Sequence, residues 1–222
     1  MNFPSKPTWV TYRERDLKAL ADVLADQPIF VLSDEIYSEL TYGDAHVSIA
    51  KYLPEQTILL NGVSKSHAMT GWRIGIMCAP KAITTQLGKI HQFTVTSTTT
   101  NAQAAAAEAL SNGMDDGQEM KREYQARRDY LYDALNKIGF ESAKPEGAFY
   151  LFSKILAGLT QNSMDFCREL AHEARVALIP GSSFGPGGEG YVRISYAASM
   201  ENLKTAVERI SAYVEDKASE AK

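Results

Sequence analysis

Gly62-Val63-Ser64-Lys65-Ser66-His67-Ala68-Met69-Thr70-Gly71-Trp72-Arg73-Ile74-Gly75 is the stretch that decides how this chain is read. It follows Thr57-Ile58-Leu59-Leu60, a short continuous apolar run of the kind that predicts a strand buried on both faces. The lysine therefore falls at the carboxyl end of a strand, among small residues that let a ligand approach the backbone. An arginine follows eight positions on, between glycines. A lysine in a partly dry pocket loses its proton and attacks a carbonyl as an amine, while a nearby arginine holds an anion such as a phosphate group.

The same pattern extends outward in both directions. Upstream, Ile29-Phe30-Val31-Leu32 runs into Ser33-Asp34-Glu35-Ile36-Tyr37; downstream, Ile74-Gly75-Ile76-Met77-Cys78-Ala79 ends at Pro80. Apolar runs of this kind between helical segments predict an α/β sheet, whose ligands bind just beyond the carboxyl ends of the strands. Asp34 stands at such an end, where a carboxylate pairs with a protonated pyridine nitrogen and makes the ring an electron sink. Amine, arginine and aspartate together are the requirements of pyridoxal 5'-phosphate.

Thr11 and Glu14 read as a capping box opening a helix to about Ala25. Helical periodicity runs from about Ala82 to Asn112, interrupted at Thr94–Thr100, and a long charged helix at Gln118–Ile138 bridges two domains. Beyond Gly139 we expect strands at Ala148–Phe152, Ala177–Ile179 and Tyr191–Tyr196, with helices at Met164–Ala174 and Met200–Tyr213. The expected division is residues 1–116 as part of a large α/β domain and 117–222 as the bridging helix with a small α+β domain. Only three strands precede the bridging helix, so the large sheet reads as incomplete.

The chain has 222 residues, 45% of them apolar, with 23 Lys+Arg against 27 Asp+Glu and a net charge of −4. No basic stripe is present to neutralise a phosphate backbone, so nucleic acid is not an expected partner. No run approaches the roughly 20 apolar residues of a membrane span, and the first residues lack the pattern of a signal peptide. Cys78 and Cys167 sit apart in apolar contexts, which predicts buried, reduced thiols, no metal site and a cytoplasmic location. His67 has no second ligand at metal spacing and is read as structural. Gly181, Gly185, Gly187, Gly188 and Gly190 are read as a flexible loop near the substrate entrance.

The Ser-Asp-Glu-Ile-Tyr segment, the Gly-Val-Ser-Lys to Arg-Ile-Gly segment, Pro145-Glu146-Gly147-Ala148-Phe149-Tyr150 and Gly190-Tyr191-Val192-Arg193-Ile194-Ser195-Tyr196 follow one another in this chain. In order and spacing the chain resembles class I/II pyridoxal-phosphate-dependent aminotransferases of fold type I, and the likeness covers only the C-terminal part of that family's length. The resemblance implies the end of the large domain, with a mixed, mostly parallel sheet, plus the small α+β domain.

It implies transfer of an amino group between an L-α-amino acid, with a lean to aromatic ones, and a 2-oxo acid. Lys65 is implied as the Schiff-base lysine and proton shuttle, Asp34 as partner of the pyridine nitrogen, and Tyr37 as donor to the ring oxygen. Arg73, helped by Gly62 or Ser64, resembles the phosphate anchor, and Arg193 resembles the arginine that grips the substrate carboxylate. The family forms homodimers, and a polypeptide supplying the N-terminal half is a further expected partner. Alternatives of the same fold are a carbon–sulfur β-lyase and an inactive remnant or partner subunit. Two departures stand out: in Pro4-Ser5-Lys6-Pro7-Thr8-Trp9, Lys6 replaces the family's Asn, and Trp9 its Gly at a turn that needs positive φ.

Overall fold

The structure, a computed structural model, describes residues 1–4 and 7–220. It falls into two compact units, one formed by Met1–Lys6 and Thr11–Lys121, the other by Pro7–Val10 and Arg122–Lys222. The long helix thus passes from one unit into the other.

In the first unit, α1 (Glu14–Leu24) precedes a three-stranded sheet of β1 (Val31–Asp34), β2 (Thr57–Asn61) and β3 (Ile76–Cys78). β1 and β2 are parallel, with Asp34 opposite Leu60, and β3 runs antiparallel to β2. The sheet is mixed. A single helical turn, α2 (Val63–Ser66), follows β2, and α3 (Lys81–Thr94) and α4 (Thr100–Ser111) follow β3. α1 begins later than the Thr11 reading predicts. Its N-cap is Arg13, whose backbone N–H donates to Asp16 Oδ2 at 3.2 Å, so Asp16 closes the first turn in place of Glu14.

The expectation of strands buried on both faces is corrected. Leu17 and Ala21 of α1 pack with Phe3, Val31, Ile49 and Leu53 to cover one face. Leu32 is 52% exposed, Phe30 and Met77 are exposed, and α3 buries none of its residues. Among the described residues no layer lies on these surfaces. Cys78 is likewise exposed, against the buried thiol expected, because no described element covers β3, where Met77 is exposed too.

The second unit takes in the greater part of α5 (Gln118–Ile138), which ends where Gly139 turns the chain at φ 112° and donates its N–H to Leu135 O. An antiparallel sheet in the order β4-β5-β7-β6 is made of β4 (Glu141–Ser142), β5 (Tyr150–Lys154), β6 (Ile179–Pro180) and β7 (Tyr191–Ser195). α6 (Ser163–Glu173) is capped by Asn162 Oδ1, which accepts from Met164 N and Asp165 N; α7 (Met200–Glu220) closes the unit. Strand alternation sends Leu151, Val192 and Ile194 into a core with Leu131 and Leu135 of α5, Phe166 and Leu170 of α6, and Leu203 and Ile210 of α7. The opposite sheet face carries Tyr150, Phe152 and Arg193.

The glycine cluster forms two consecutive tight turns, Gly181–Phe184 and Pro186–Gly188, in place of an open loop. A methyl on Gly181 would overlap Gly188 O, and one on Gly188 would overlap Gly181 O, so the backbones touch where only glycine fits.

Candidate active site

Six of the expected residues lie in the first unit around the carboxyl ends of β1 and β2, where the backbone changes direction and frees polar side chains. Asp34 ends β1, and its Oδ1 accepts the Ile36 N–H at 3.2 Å. That bond turns the chain into the segment that carries Tyr37, which is 4% exposed. The amide of Asn61, at the end of β2, donates to Ser38 Oγ at 3.1 Å and so ties the two strand ends together. Asn61 Oδ1 also accepts the Gly62 N–H at 2.8 Å. A Cβ on Gly62 would lie 3.3 Å from both Gly75 Cα and Ile74 O, so Gly62 serves the close approach of chain to chain.

Lys65 sits on α2, and its Nζ lies 5.9 Å from the Tyr37 ring centroid and 3.5 Å from Thr70 Oγ1. Thr70 Oγ1 donates to Ser64 O at 2.7 Å, while Thr70 O accepts from Arg73 Nη1 at 3.0 Å. Thr70 thus links Lys65, Ser64 and Arg73, a part that sequence reasoning did not give it although it lies within the deciding stretch. Ala68 and Arg73 flank the turn with φ of 53° and 54°, a left-handed conformation that non-glycine residues keep where the surrounding structure imposes it. His67 spends both ring nitrogens internally: Nε2 donates to Gly113 O at 2.9 Å, which leaves Nδ1 to accept from Ser66 Oγ at 2.8 Å.

Behind Asp34 is a second group that the sequence reading quoted without a role. The Glu35 carboxylate, 2% exposed, accepts from Ser33 Oγ and Ser48 Oγ at 2.8 Å each and meets His46 Nε2 at 2.7 Å. Adjacent strand residues point to opposite sides, so these bonds hold Glu35 on one side and leave Asp34 to the other. The signal was a second carboxylate directly after the apolar run and Ser33-Asp34, with His46 and Ser48 a loop away.

Arg193 belongs to the second unit. Its guanidinium carbon lies 4.4 Å from the Tyr150 ring centroid and 4.7 Å from that of Phe184. Trp9 is completely buried, stacks on Tyr150 at 4.7 Å and 25°, and has φ 62°, so this position does take the left-handed conformation. The conformation costs about 1–2 kcal/mol for a residue bearing a Cβ, whereas burying the 150–250 Å² of a large aromatic side chain returns roughly 4–6 kcal/mol. Burial wins. Lys6 lies outside the described residues.

The donor set fits a ligand with a basic ring nitrogen and a phosphate. Among the described residues Asp34 has no cationic partner and Arg73 no anionic one, so a carboxylate and a guanidinium stand uncompensated on either side of the lysine segment. Tyr37 and Ser64 add hydroxyls.

Residues 1–210 match the model of the family described as aminotransferase class I and II, and the chain belongs to that family. It is 51% identical over 213 residues to a probable N-acetyl-LL-diaminopimelate aminotransferase of Bacillus subtilis (strain 168), a match covering 96% of this chain and 54% of the relative. An aspartate aminotransferase of Geobacillus stearothermophilus is 43% identical over 228 residues, covering 98% and 57% of the two chains. The crystal structure of an aromatic aminotransferase from Pyrococcus horikoshii OT3 superposes with a TM-score of 0.91 at 42% identity, covering 98% of this chain and 59% of that one. The chain therefore spans somewhat over half the length of the relatives it matches. No described helix is long and apolar enough to cross a membrane.

Proposed function

We propose that this chain carries the lysine, cofactor-binding and carboxylate-binding groups of a transaminase acting between an L-α-amino acid and a 2-oxo acid. Thr70 carries the reading: its hydroxyl meets the Lys65 amine and its carbonyl takes the Arg73 guanidinium, beside an Asp34 carboxylate with no cationic partner among the described residues. Asp34 would hold a proton at the cofactor's pyridine nitrogen, Tyr37 would donate to the ring oxygen, and Arg73 with Ser64 would hold the phosphate. When bound, pyridoxal 5'-phosphate supplies an electron sink for the carbon that gains or loses the amino group. Lys65 Nζ is the base that moves a proton at that carbon, held beside the Thr70 hydroxyl and the Tyr37 ring. Arg193 would orient the substrate through its carboxylate.

Aromatic, aspartate and N-acetyl-diaminopimelate aminotransferases all stand among the relatives, which supports the reaction type across several amino-acid side chains. The aminotransferase length that this chain does not span is, in our reading, what covers the bare face of the first unit, whether as more of the same chain or as a second polypeptide. The test is to mix the purified chain with pyridoxal phosphate, follow the visible absorption, reduce with borohydride and map the label by mass spectrometry. One pyridoxyl group on Lys65, lost in Lys65→Ala, is the expected result. Labelling scattered over surface lysines would overturn the assignment.

A further inference from the structure

We propose that Trp9 is a positioning residue for Arg193, holding the Tyr150 ring against the guanidinium so that it forms a fixed seat for a carboxylate. The inference rests on the reading of Arg193 given above and adds to it the residue at which this chain departs from its family. Three observations carry it.

The first is that the Arg193 side chain has no hydrogen bond or ion pair among the described residues, and its guanidinium stacks on two rings. Five N–H donors on a planar cation are left for a ligand, and the planar fork matches a carboxylate. The second is that its backbone is fixed, because β7 pairs with β5 on one side and β6 on the other, with Arg193 opposite both Phe152 and Ile179. What remains to be fixed is the side chain, and Tyr150 and Phe184 do this from the rings.

The third is Trp9. It supports Tyr150 by stacking, and its carbonyl accepts the Glu146 N–H at 2.9 Å, which joins it to the turn preceding β5. That turn is anchored in its turn by Arg128, buried, whose Nη1 donates to Pro145 O at 2.9 Å. A completely buried indole in a left-handed conformation is an outlier held by its surroundings, and here it builds a wall behind the ring on which the arginine rests. Without that wall Tyr150 gains freedom to turn, and the guanidinium with it. The two rings also take part of the guanidinium surface out of water, which strengthens its pairing with an anion.

The test uses the full chain with Trp72→Phe, so that Trp9 is the only indole. Succinate is titrated while Trp9 emission is followed, and calorimetry gives the affinity of each variant. Saturable binding that Arg193→Gln abolishes is expected. Trp9→Gly should weaken binding about tenfold, and Trp9→Phe should restore most of the loss. Circular dichroism checks folding; if Trp9→Gly does not fold, Tyr150→Leu takes its place, with the same weakening expected. Succinate bound as tightly by the folded Trp9→Gly or Tyr150→Leu chain as by the parent would overturn the proposal and leave the Arg193 reading standing. Binding that survives Arg193→Gln, or no binding to the parent, would overturn both.

Discussion

The carboxylate of Glu35 and the imidazole of His46 meet at 2.7 Å in a place where Glu35 is 2% exposed and the other ring nitrogen, His46 Nδ1, is buried with no hydrogen-bond partner among the described residues. An imidazolium would bury a second N–H with nothing to accept it, so the geometry fits the neutral tautomer that donates from Nε2. The negative charge is then satisfied by His46 and two serine hydroxyls. Phe3, stacked on the imidazole at 4.9 Å, closes the group from outside.

Removing that carboxylate should be costly. Glu35→Ala leaves three donors, the Ser33 hydroxyl buried and those of His46 and Ser48 partly buried, without their acceptor and is expected to destabilise the chain by about 2–4 kcal/mol. Glu35→Gln, which keeps one acceptor oxygen, should cost roughly half as much. Urea unfolding measures both; equal stability of Glu35→Ala and the parent would show that the group contributes nothing to the fold.

The paired turns at Gly181–Gly188 make a contrast between two glycines in one segment. Gly181→Ala forces the backbone contact with Gly188 apart and should cost about 1–3 kcal/mol. A Cβ on Gly187 meets nothing within 4 Å, so Gly187→Ala should lie within about 0.5 kcal/mol of the parent. Thermal unfolding of the two variants side by side decides it.

The two thiols should separate kinetically. Cys78 is exposed, whereas Cys167 is buried and burial pushes its thiol up to about 11, so little of it is thiolate at pH 8. With a chromogenic disulfide reagent we expect one fast equivalent, absent in Cys78→Ser, and a second only on unfolding. Two fast equivalents would contradict the burial of Cys167.

Asp129 supplies a pH dependence. Burial raises its carboxyl, but Lys144 at 2.9 Å and Arg128 at 2.9 Å outweigh that and hold it below the ordinary aspartate range. A carboxyl depressed in the folded state contributes stability above its unfolded pKa and loses it as pH falls through the folded one. Asp129 is partly exposed, so Asp129→Asn should cost about 0.5–1 kcal/mol at pH 7. The difference from the parent should vanish in strong acid; a difference that persisted there would point to packing as its source.

The bare face of the first unit should show itself in solution. Phe93 is 92% exposed, Phe30 63% and Ile90 62%, and large apolar side chains left in water favour association. Phe93→Glu with Phe30→Glu should shift the purified chain toward monomer in analytical ultracentrifugation. A parent that sediments as a clean monomer would count against the prediction.

The amphipathic helices and the local geometry around the lysine were legible in the sequence because each is written in neighbouring residues: helix periods, Gly139, the stretch from Gly62 to Gly75. α5 falls at Gln118–Ile138 as its pattern predicts. What escaped depends on distant residues. Apolar runs such as Ile29–Leu32 read as doubly buried, yet whether anything lies on the second face is set by other segments. The same holds for Glu35, whose partners His46 and Ser48 come from beyond the next turn, and for Cys78, whose exposure follows from the lack of any described element over β3. The glycine cluster misled because a glycine required by backbone contact and one that confers freedom are the same letter.

Pro7–Val10 belongs with the second unit although the chain on both sides of it belongs with the first, and α5 carries the chain across once more at Lys121 and Arg122. A gene cut after codon 121 would therefore not deliver two modules. The downstream product would lack its own indole wall, and the upstream product would carry four residues folded for a body no longer attached. Deletion series and fusions of this protein should be planned on that interlaced map, with residues 7–10 supplied to whichever piece contains Tyr150.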